Sequence, residues 1–494
     1  MLLLGIDIGT SSVKVSVVDT YSQRRIATAQ FPETEAEIIS LKPGWAEQSP
    51  EQWWAYTQQA ILKANALKLY DPGKINAIGI AYQMHGLVCV DKNLKPLRNS
   101  IIWCDSRAVD IGKRASTIIG NDKCLTHLLN TPGNFTASKL SWVKTNEPAL
   151  YNKIYKIMLP GDFVAMKFTG SCTTSTAALS EGIFWDFKNE KLSADIFNYF
   201  GFEKSFIPKI KPVFSEHGKL LASIAKALSL TPGIPVTYKA GDQPNNALSL
   251  NVMQPGEVAA NAGTSGVIYT VTNQLVYDEQ SRINTFAHVN HTTEEKRLGV
   301  LLCINGTGIL NRWVKDIAGT QLNYAEINAL AANVSPGSDG LIVLPFGNGA
   351  ERMLQNKIIQ SHMHNINFNV HTPAHIYRAA QEGIAFAFRY GLDIIRENRI
   401  EPQVIKAGYS NMFLSDVFTQ SFVNATGVPV ELYNCDGSMG AALGAGIGAG
   451  VYGDAKQAFG KFIPVKRIKP KMKTAYDEIY EQWKKHLETQ LALK

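Results

Sequence analysis

The sequence predicts an α/β protein built from two duplicated domains with a cleft between them. The chain has 494 residues, too many for one core, and suits two units of roughly 250 residues each. Strand-like apolar runs alternate with helical stretches throughout, the pattern of α/β architecture. The opening motif, Leu2-Leu3-Leu4-Gly5-Ile6-Asp7-Ile8-Gly9-Thr10-Ser11-Ser12-Val13-Lys14-Val15, also returns in altered form at Val258–Tyr269. In both copies an apolar run meets Gly-Thr-Ser and β-branched residues then resume, which reads as a β-hairpin. Successive N–H groups in such a turn make a concave anion site, and Ser or Thr hydroxyls extend it. One Gly-Thr-Ser turn is equally an ordinary hairpin. Two of them, one opening each half, point to phosphate held between the halves.

In chain order, the first hairpin is followed by a helix over Pro50–Leu67, with Ser49 as N-cap and Pro50 in the first turn. Strands are predicted at Ile75–Tyr82, Leu87–Asp91 and Ile154–Leu159, and a helix at Ala137–Thr145. The turn cluster Leu230-Thr231-Pro232-Gly233-Ile234-Pro235 leads into a strand at Val236–Ala240, whose end at Gly241-Asp242 faces the cleft. A boundary near residue 250 divides the chain into domains 1–247 and 248–494. The second half repeats the alternation, with strands at Val300–Ile304 and Gly340–Leu344 and helices at Pro373–Glu397 and Asp416–Thr426. Ala441–Gly450 reads as a helix of small residues that allows close backbone approach. An amphipathic helix over Tyr476–Leu493 closes the chain.

Composition narrows the class. Hydrophobic content of 45% with 18% charged residues describes an ordinary globular protein. The net charge of +7 comes without a dense Lys/Arg stripe carrying aromatics, so a nucleic-acid partner is not expected. Six scattered cysteines with no CxxC pair fit a reducing compartment. Asp7 interrupts the N-terminal apolar run and no basic region precedes it, which marks a strand and not a signal peptide. No run approaches the length of a membrane span. The expectation is a cytoplasmic protein with neither membrane nor nucleic-acid partners.

Several residues carry candidate chemistry. Every Gly-Lys pair is followed by Ile, Arg, Leu or Phe, which removes a Walker A loop. The one GxGxxG, at Gly448, Gly450 and Gly453, follows a helix where a strand is required and reads as a helix C-terminus. Asp7, two residues before the first turn, suits Mg²⁺ held through water, or an Asx turn capping its own hairpin. Asp242 suits a base that takes a hydroxyl proton, or a helix N-cap. The residues alone leave both pairs of readings open. Gln83-Met84-His85-Gly86 and Trp103-Cys104-Asp105-Ser106-Arg107 set polar groups beside apolar walls, as a polyhydroxylated ligand requires. His288 and His291 lack companions for a metal site and read as structural or substrate-adjacent.

These motifs together resemble the FGGY carbohydrate kinases, of the actin/hexokinase/Hsp70-like ATPase (ribonuclease H-like) fold, and most closely the xylulokinase branch. Gly5–Lys14 is similar to the family's first phosphate motif and Gly263-Thr264-Ser265-Gly266-Val267 to its second. Trp45–Trp54 and Phe135–Val143 resemble xylulokinase segments, and Asp242 falls at the position of the family's base. The resemblance implies ATP-dependent phosphorylation of D-xylulose at its C5 hydroxyl by a Mg²⁺-requiring homodimer. It implies Asp242 as general base, Asp7 as the Mg²⁺ residue, and a sugar pocket of Gln83, Met84, His85, Trp103, Asp105, Asp242 and Gln243. Phosphates would lie against Gly9, Thr10, Ser11, Ser12, Lys14, Gly263, Thr264 and Ser265, and adenosine against Gly408, Tyr409, Ser410 and Asn411. The chain departs from the family pattern at three places: Gln243-Pro244-Asn245 after the base, Tyr409 in the adenosine loop, and Gly349-Ala350-Glu351-Arg352-Met353. Gln243, similar to glycerol kinases, keeps sedoheptulose, ribulose or glycerol open as substrates. A non-catalytic sugar sensor on the same fold is the alternative from another class.

Overall fold

The computed structural model describes residues 1–319 and 321–493. Two mixed sheets organise it, and their strands are numbered here in chain order. Sheet I contains β1 (Leu2–Ile8), β2 (Val13–Asp19), β3 (Arg25–Phe31), β4 (Ile75–Tyr82), β5 (Phe214–Lys219) and β6 (Pro235–Gly241), in the order β5-β6-β4-β1-β2-β3. Strands β1, β4 and β6 pair in parallel, and the remaining pairings in the sheet are antiparallel. Parallel strands are covered on both faces, so they read as unbroken apolar runs. Leu3, Leu4, Ile6, Ile8, Ile78 and Ile80 are all fully buried.

Sheet II contains β7 (Val258–Ala262), β8 (Gly266–Thr272), β9 (Asn284–Ala287), β10 (Leu298–Ile304), β11 (Ile405–Gly408), β12 (Val430–Tyr433) and β13 (Lys466–Ile468). Its order is β9-β10-β8-β7-β11-β12-β13, with β7, β11 and β12 parallel. The core order of sheet I therefore recurs, as the repeated hairpin predicts. Two differences mark divergence. Sheet II gains β9 at one edge, and its closing antiparallel strand follows β12 in the chain, whereas β5 precedes β6.

The helices that matter for the site are α1 (Pro50–Ala66), α2 (Thr136–Asn146), α3 (Thr176–Glu181), α4 (Asp242–Ser249), α5 (Gly308–Ala318), α6 (Pro373–Glu397), α7 (Asp416–Thr426), α8 (Gly437–Gly448) and α9 (Lys473–Ala492). The expected helices at Pro373–Glu397 and Asp416–Thr426 have those bounds. The small-residue helix starts four residues earlier than expected, because Asp436 caps it by accepting from the Met439 N–H. Gly448 ends it and Gly450 follows at φ 72°, as its reading as a helix C-terminus requires.

Helix α8 belongs to the second half in sequence, yet it packs on sheet I. Its small residues permit this: a Cβ at Gly79 of β4 would sit 1.9 Å from the Ala441 carbonyl oxygen. It also crosses α4, where a Cβ at Gly440 would sit 1.7 Å from Ser249 Oγ. Other boundaries also differ from expectation, among them three strands and the closing helix, which runs Lys473–Ala492. The strand expected at Gly340–Leu344 is Ile342–Phe346, because Ser338–Gly340 forms a 3₁₀ turn that leaves Gly340 at φ 91°. Leu87–Asp91 and Ile154–Leu159 shorten to Val88–Val90 and Lys156–Met158, which pair with each other. All six cysteines are free. Among the described residues no helix is long and apolar enough to cross a membrane.

Candidate active site

The parallel strands bring the site together. Ile8 and Gly241 both lie level with Tyr82, so β1, β4 and β6 end side by side. Their continuations are the Gly9–Ser12 turn, the Gln83–Gly86 turn and Asp242, which starts α4. In sheet II, Gly408 lies level with Tyr433, and β7 ends beside them at the Gly263–Ser265 turn. Strand ends of this kind are where open α/β sheets bind ligands.

Three adjoining cavities open along these ends. The largest, about 450 Å³, is lined from the first half by Thr10, Met84, His85, Trp103, Asn134, Phe135, Asp242 and Gln243. The second half closes it with the Gly263–Ser265 turn, Asn284, Cys303, Asn305 and Arg352. A second cavity of about 270 Å³ shares Gln243 and Asn261 with the first and adds Asp7, Gly408, Ser410, Asn411 and Asp436. A third, about 370 Å³, shares Gly263, Thr264 and Asn411 and adds Gly308, Asn311, Arg312, Tyr324 and Asn328.

The carboxylates are tuned by their surroundings. Asp242 occupies the first turn of α4 with Gly241 at the N-cap, so its side chain is not itself the cap. Burial, then the charge of Asp7, pushes its pKa up to about 7, against the opposing pull of the Gln243 amide. Asp7 is raised to about 6 by burial and by Asp436, with Lys14 opposing. Its side chain makes no hydrogen bond among the described residues, which disfavours the Asx-turn reading. Asp436 behaves in the opposite way. Burial raises it, but Lys14 at 2.7 Å, the Ser438 hydroxyl and the Met439 N–H hold it below the usual carboxylate range.

His85 is held at φ 61° with its ring between Phe135 and Phe286. Burial drops its pKa to about 3, so the ring is neutral. Its Nδ1 lies 2.9 Å from the Glu181 carbonyl and donates to it. Nε2 is thereby left as an acceptor. The buried Lys139 of α2 donates to the His85 and Ile102 carbonyls, both at 2.9 Å, and so ties together the two segments predicted to face sugar.

Some predicted residues stand behind the walls. Gln83 is buried, with its amide donating to Gln48 and its oxygen accepting from Thr10. Thr10 Oγ1 in turn accepts from Trp103 Nε1 at 2.9 Å. Asp105 does not reach the cavity: Arg107 pairs with it at 2.7 Å and the Ala46 N–H donates to it at 2.6 Å. Lys14 is turned to Asp436, and Ser11 and Ser12 lie outside the three cavities. Tyr409 also stays outside them, its ring lying 5.2 Å from Lys466 Nζ. His288 is structural, bridging the Tyr269 hydroxyl and the Val252 carbonyl.

Sequence reasoning missed Asn134, Asn284, Asn305 and Arg352 in the largest cavity and Asn311, Arg312, Tyr324 and Asn328 in the third. Single asparagines in loops carry no periodic signal. Only the Glu351-Arg352 pair stood in a segment already singled out.

Comparison with known proteins agrees with this architecture. Residues 2–249 match the N-terminal domain, and residues 258–452 the C-terminal domain, of the FGGY family of carbohydrate kinases. The chain is 26% identical to the xylulose kinase of Escherichia coli (strain K12) over 472 residues, 94% of this chain and 92% of that protein. Its fold is similar to the crystal structure of xylulose kinase from Rhodospirillum rubrum, with a TM-score of 0.88, 24% identity and 99% of each chain covered. It is likewise similar to Plasmodium falciparum glycerol kinase with ADP, at a TM-score of 0.88 and 21% identity, covering 99% of this chain and 98% of that one. The two matched domains, the duplicated sheets and the cavities at their strand ends lead to one conclusion: the chain belongs to the FGGY family of carbohydrate kinases.

Proposed function

We propose that this carbohydrate kinase transfers the γ-phosphoryl group of ATP to the C5 hydroxyl of D-xylulose. One observation carries the reading: Asp242, a carboxylate with no salt-bridge partner among the described residues, lines the same cavity as the Gly263–Ser265 turn, and burial pushes its pKa up to about 7. The 26% identical xylulose kinase relative supports the choice of sugar.

On this reading residues 1–247 hold the sugar and the base, and residues 248–494 hold the nucleotide. Met84, His85 and Trp103 shape the sugar pocket, with His85 Nε2 accepting from a sugar hydroxyl. Asp242 accepts the C5 hydroxyl proton as the oxygen attacks, a contribution of roughly 10²–10⁴-fold. Thr10 through its backbone amide, and the Gly263–Ser265 turn through amides and hydroxyls, hold phosphate oxygens, and the Gly408–Asn411 loop lies against adenosine. Lys14 reaches phosphate only by exchanging Asp436 for it. Asp7 offers oxygen donors of the kind a hard cation takes and fits Mg²⁺ held through water. When bound, Mg²⁺ neutralises charge on the transferring group. Approach of the two halves would exclude water from the cavity.

Gln243 lines both the sugar cavity and its neighbour, which favours a second reading in which another ketose or a polyol is the substrate. ADP release, measured with Mg-ATP and D-xylulose, ribulose, sedoheptulose and glycerol in turn, decides between them. Turnover highest with D-xylulose is the expected result. Faster turnover with another member moves specificity to the Gln243–Asn246 segment, and binding of sugar without ADP release revives the sensor reading. The homodimer that family resemblance implies is checked by light scattering on the purified protein.

A further inference from the structure

Among the described residues lining the 450 Å³ cavity, Arg352 is the one cationic side chain, since His85 is neutral. It is half-buried, and its Nη1 reaches one acceptor, the Ser281 carbonyl, at a marginal 3.5 Å. Among the described residues no carboxylate lies in salt-bridge contact with it, and burial pulls its pKa down. The neighbouring Cys303 thiol, pushed up to about 11 by burial, supplies no negative charge either.

The placement is built, not accidental. Glu351 accepts from the Asn305 N–H at 2.9 Å and the Gly306 N–H at 3.2 Å, pinning one side of Arg352 to the end of β10. Met353 and Leu354 are buried on the other side. A guanidinium held at a cavity wall with no counter-charge and most of its donors free is placed to take an anion. D-xylulose is neutral, so the anion must come with the reaction or with a different sugar.

We propose that Arg352 binds an oxyanion on the sugar side of the cavity, namely the phosphoryl group as it is transferred and then carried by the product. The inference rests on the kinase reading above. In the step, the C5 oxygen bonds to the γ-phosphorus, and the bond from that phosphorus to the β,γ-bridging oxygen breaks. Its electron pair leaves with ADP, and the hydroxyl proton passes to Asp242. The three oxygens of the moving group gain a bidentate donor that neither phosphate turn provides.

The test compares wild-type enzyme with Arg352→Ala and Arg352→Lys, each checked for an unchanged thermal melt. Arg352→Ala should lose roughly 10²–10³-fold in kcat with little change in sugar KM, as expected when a donor acts on developing charge. Calorimetry should find its affinity for D-xylulose 5-phosphate reduced by about tenfold or more, and added guanidinium ion should restore part of the rate. A folded Arg352→Ala with wild-type kcat and wild-type product affinity overturns the proposal. So does a loss confined to sugar KM, which assigns Arg352 to a sugar hydroxyl. If wild-type enzyme prefers a five-carbon aldonate to the ketose and Arg352→Ala loses that activity alone, the oxyanion is the substrate's carboxylate and the phosphoryl assignment fails. Silence of the wild-type enzyme on every sugar would refute the kinase reading, while calorimetry with D-xylulose 5-phosphate still reads Arg352 directly.

Discussion

The two halves place an aspartate at matching points of the repeated fold and treat it in opposite ways. Asp242 follows β6 and opens α4; Asp436 follows β12 and caps α8. Asp436 is paired with Lys14 and Arg25, caps its helix and stays acidic. Asp242 has no cationic partner among the described residues, and burial beside Asp7 lifts it to about 7. The hairpins diverge in the same sense. Asp7 and Asn261 both stand two residues before the turn glycine, one charged and opposite Lys14, the other neutral and opposite Val267. Duplication supplied the same strand ends twice. One copy spends its charge on the other half of the chain, and the other is left without a counter-charge among the described residues.

Breaking the unspent carboxylate has the largest expected effect. Asp242→Asn should lower the sugar-phosphorylation rate by roughly 10²–10⁴-fold while ATP binding persists. The same change should not destabilise the fold. A buried acid with a raised pKa binds a proton more tightly folded than unfolded, so its contribution is favourable at low pH and is lost as pH rises toward 7. At pH 8 the variant should therefore melt no lower than wild type. A clear fall in melting temperature would place Asp242 with the structural carboxylates.

Making the first hairpin resemble the second is a milder perturbation. Asp7→Asn copies Asn261 and should raise the Mg²⁺ concentration for half-maximal activity by roughly 10–100-fold, as loss of a group acting through a metal's water does. An unchanged Mg²⁺ requirement would remove Asp7 from the cation site.

Much of this was legible in the sequence because the duplicated core is written in apolar runs. Parallel strands buried on both faces leave an unmistakable signature, and the two Gly-Thr-Ser turns mark where they end. The strand end at Asp242 followed from the turn cluster before it. What escaped was set by long-range partners. Asp105 looks like a sugar ligand until Arg107 and the Ala46 N–H are seen to claim it. Lys14 sits in a phosphate motif but spends its charge on a residue 422 positions away. The packing of α8 on sheet I could be anticipated as close approach, since the helix is rich in glycine and alanine, but not as approach to the other half's sheet. Arg352 was visible as a residue and invisible as an unpaired one, because pairing is a property of the folded cavity.

The pH dependence of kcat/KM for the sugar tests the central contrast most directly. With Asp242 unpaired and its pKa near 7, activity should climb from pH 5 and reach half its plateau near neutrality, since the protonated acid cannot accept the hydroxyl proton. A profile already flat at pH 5, as an ordinary or paired carboxylate gives, would contradict the account.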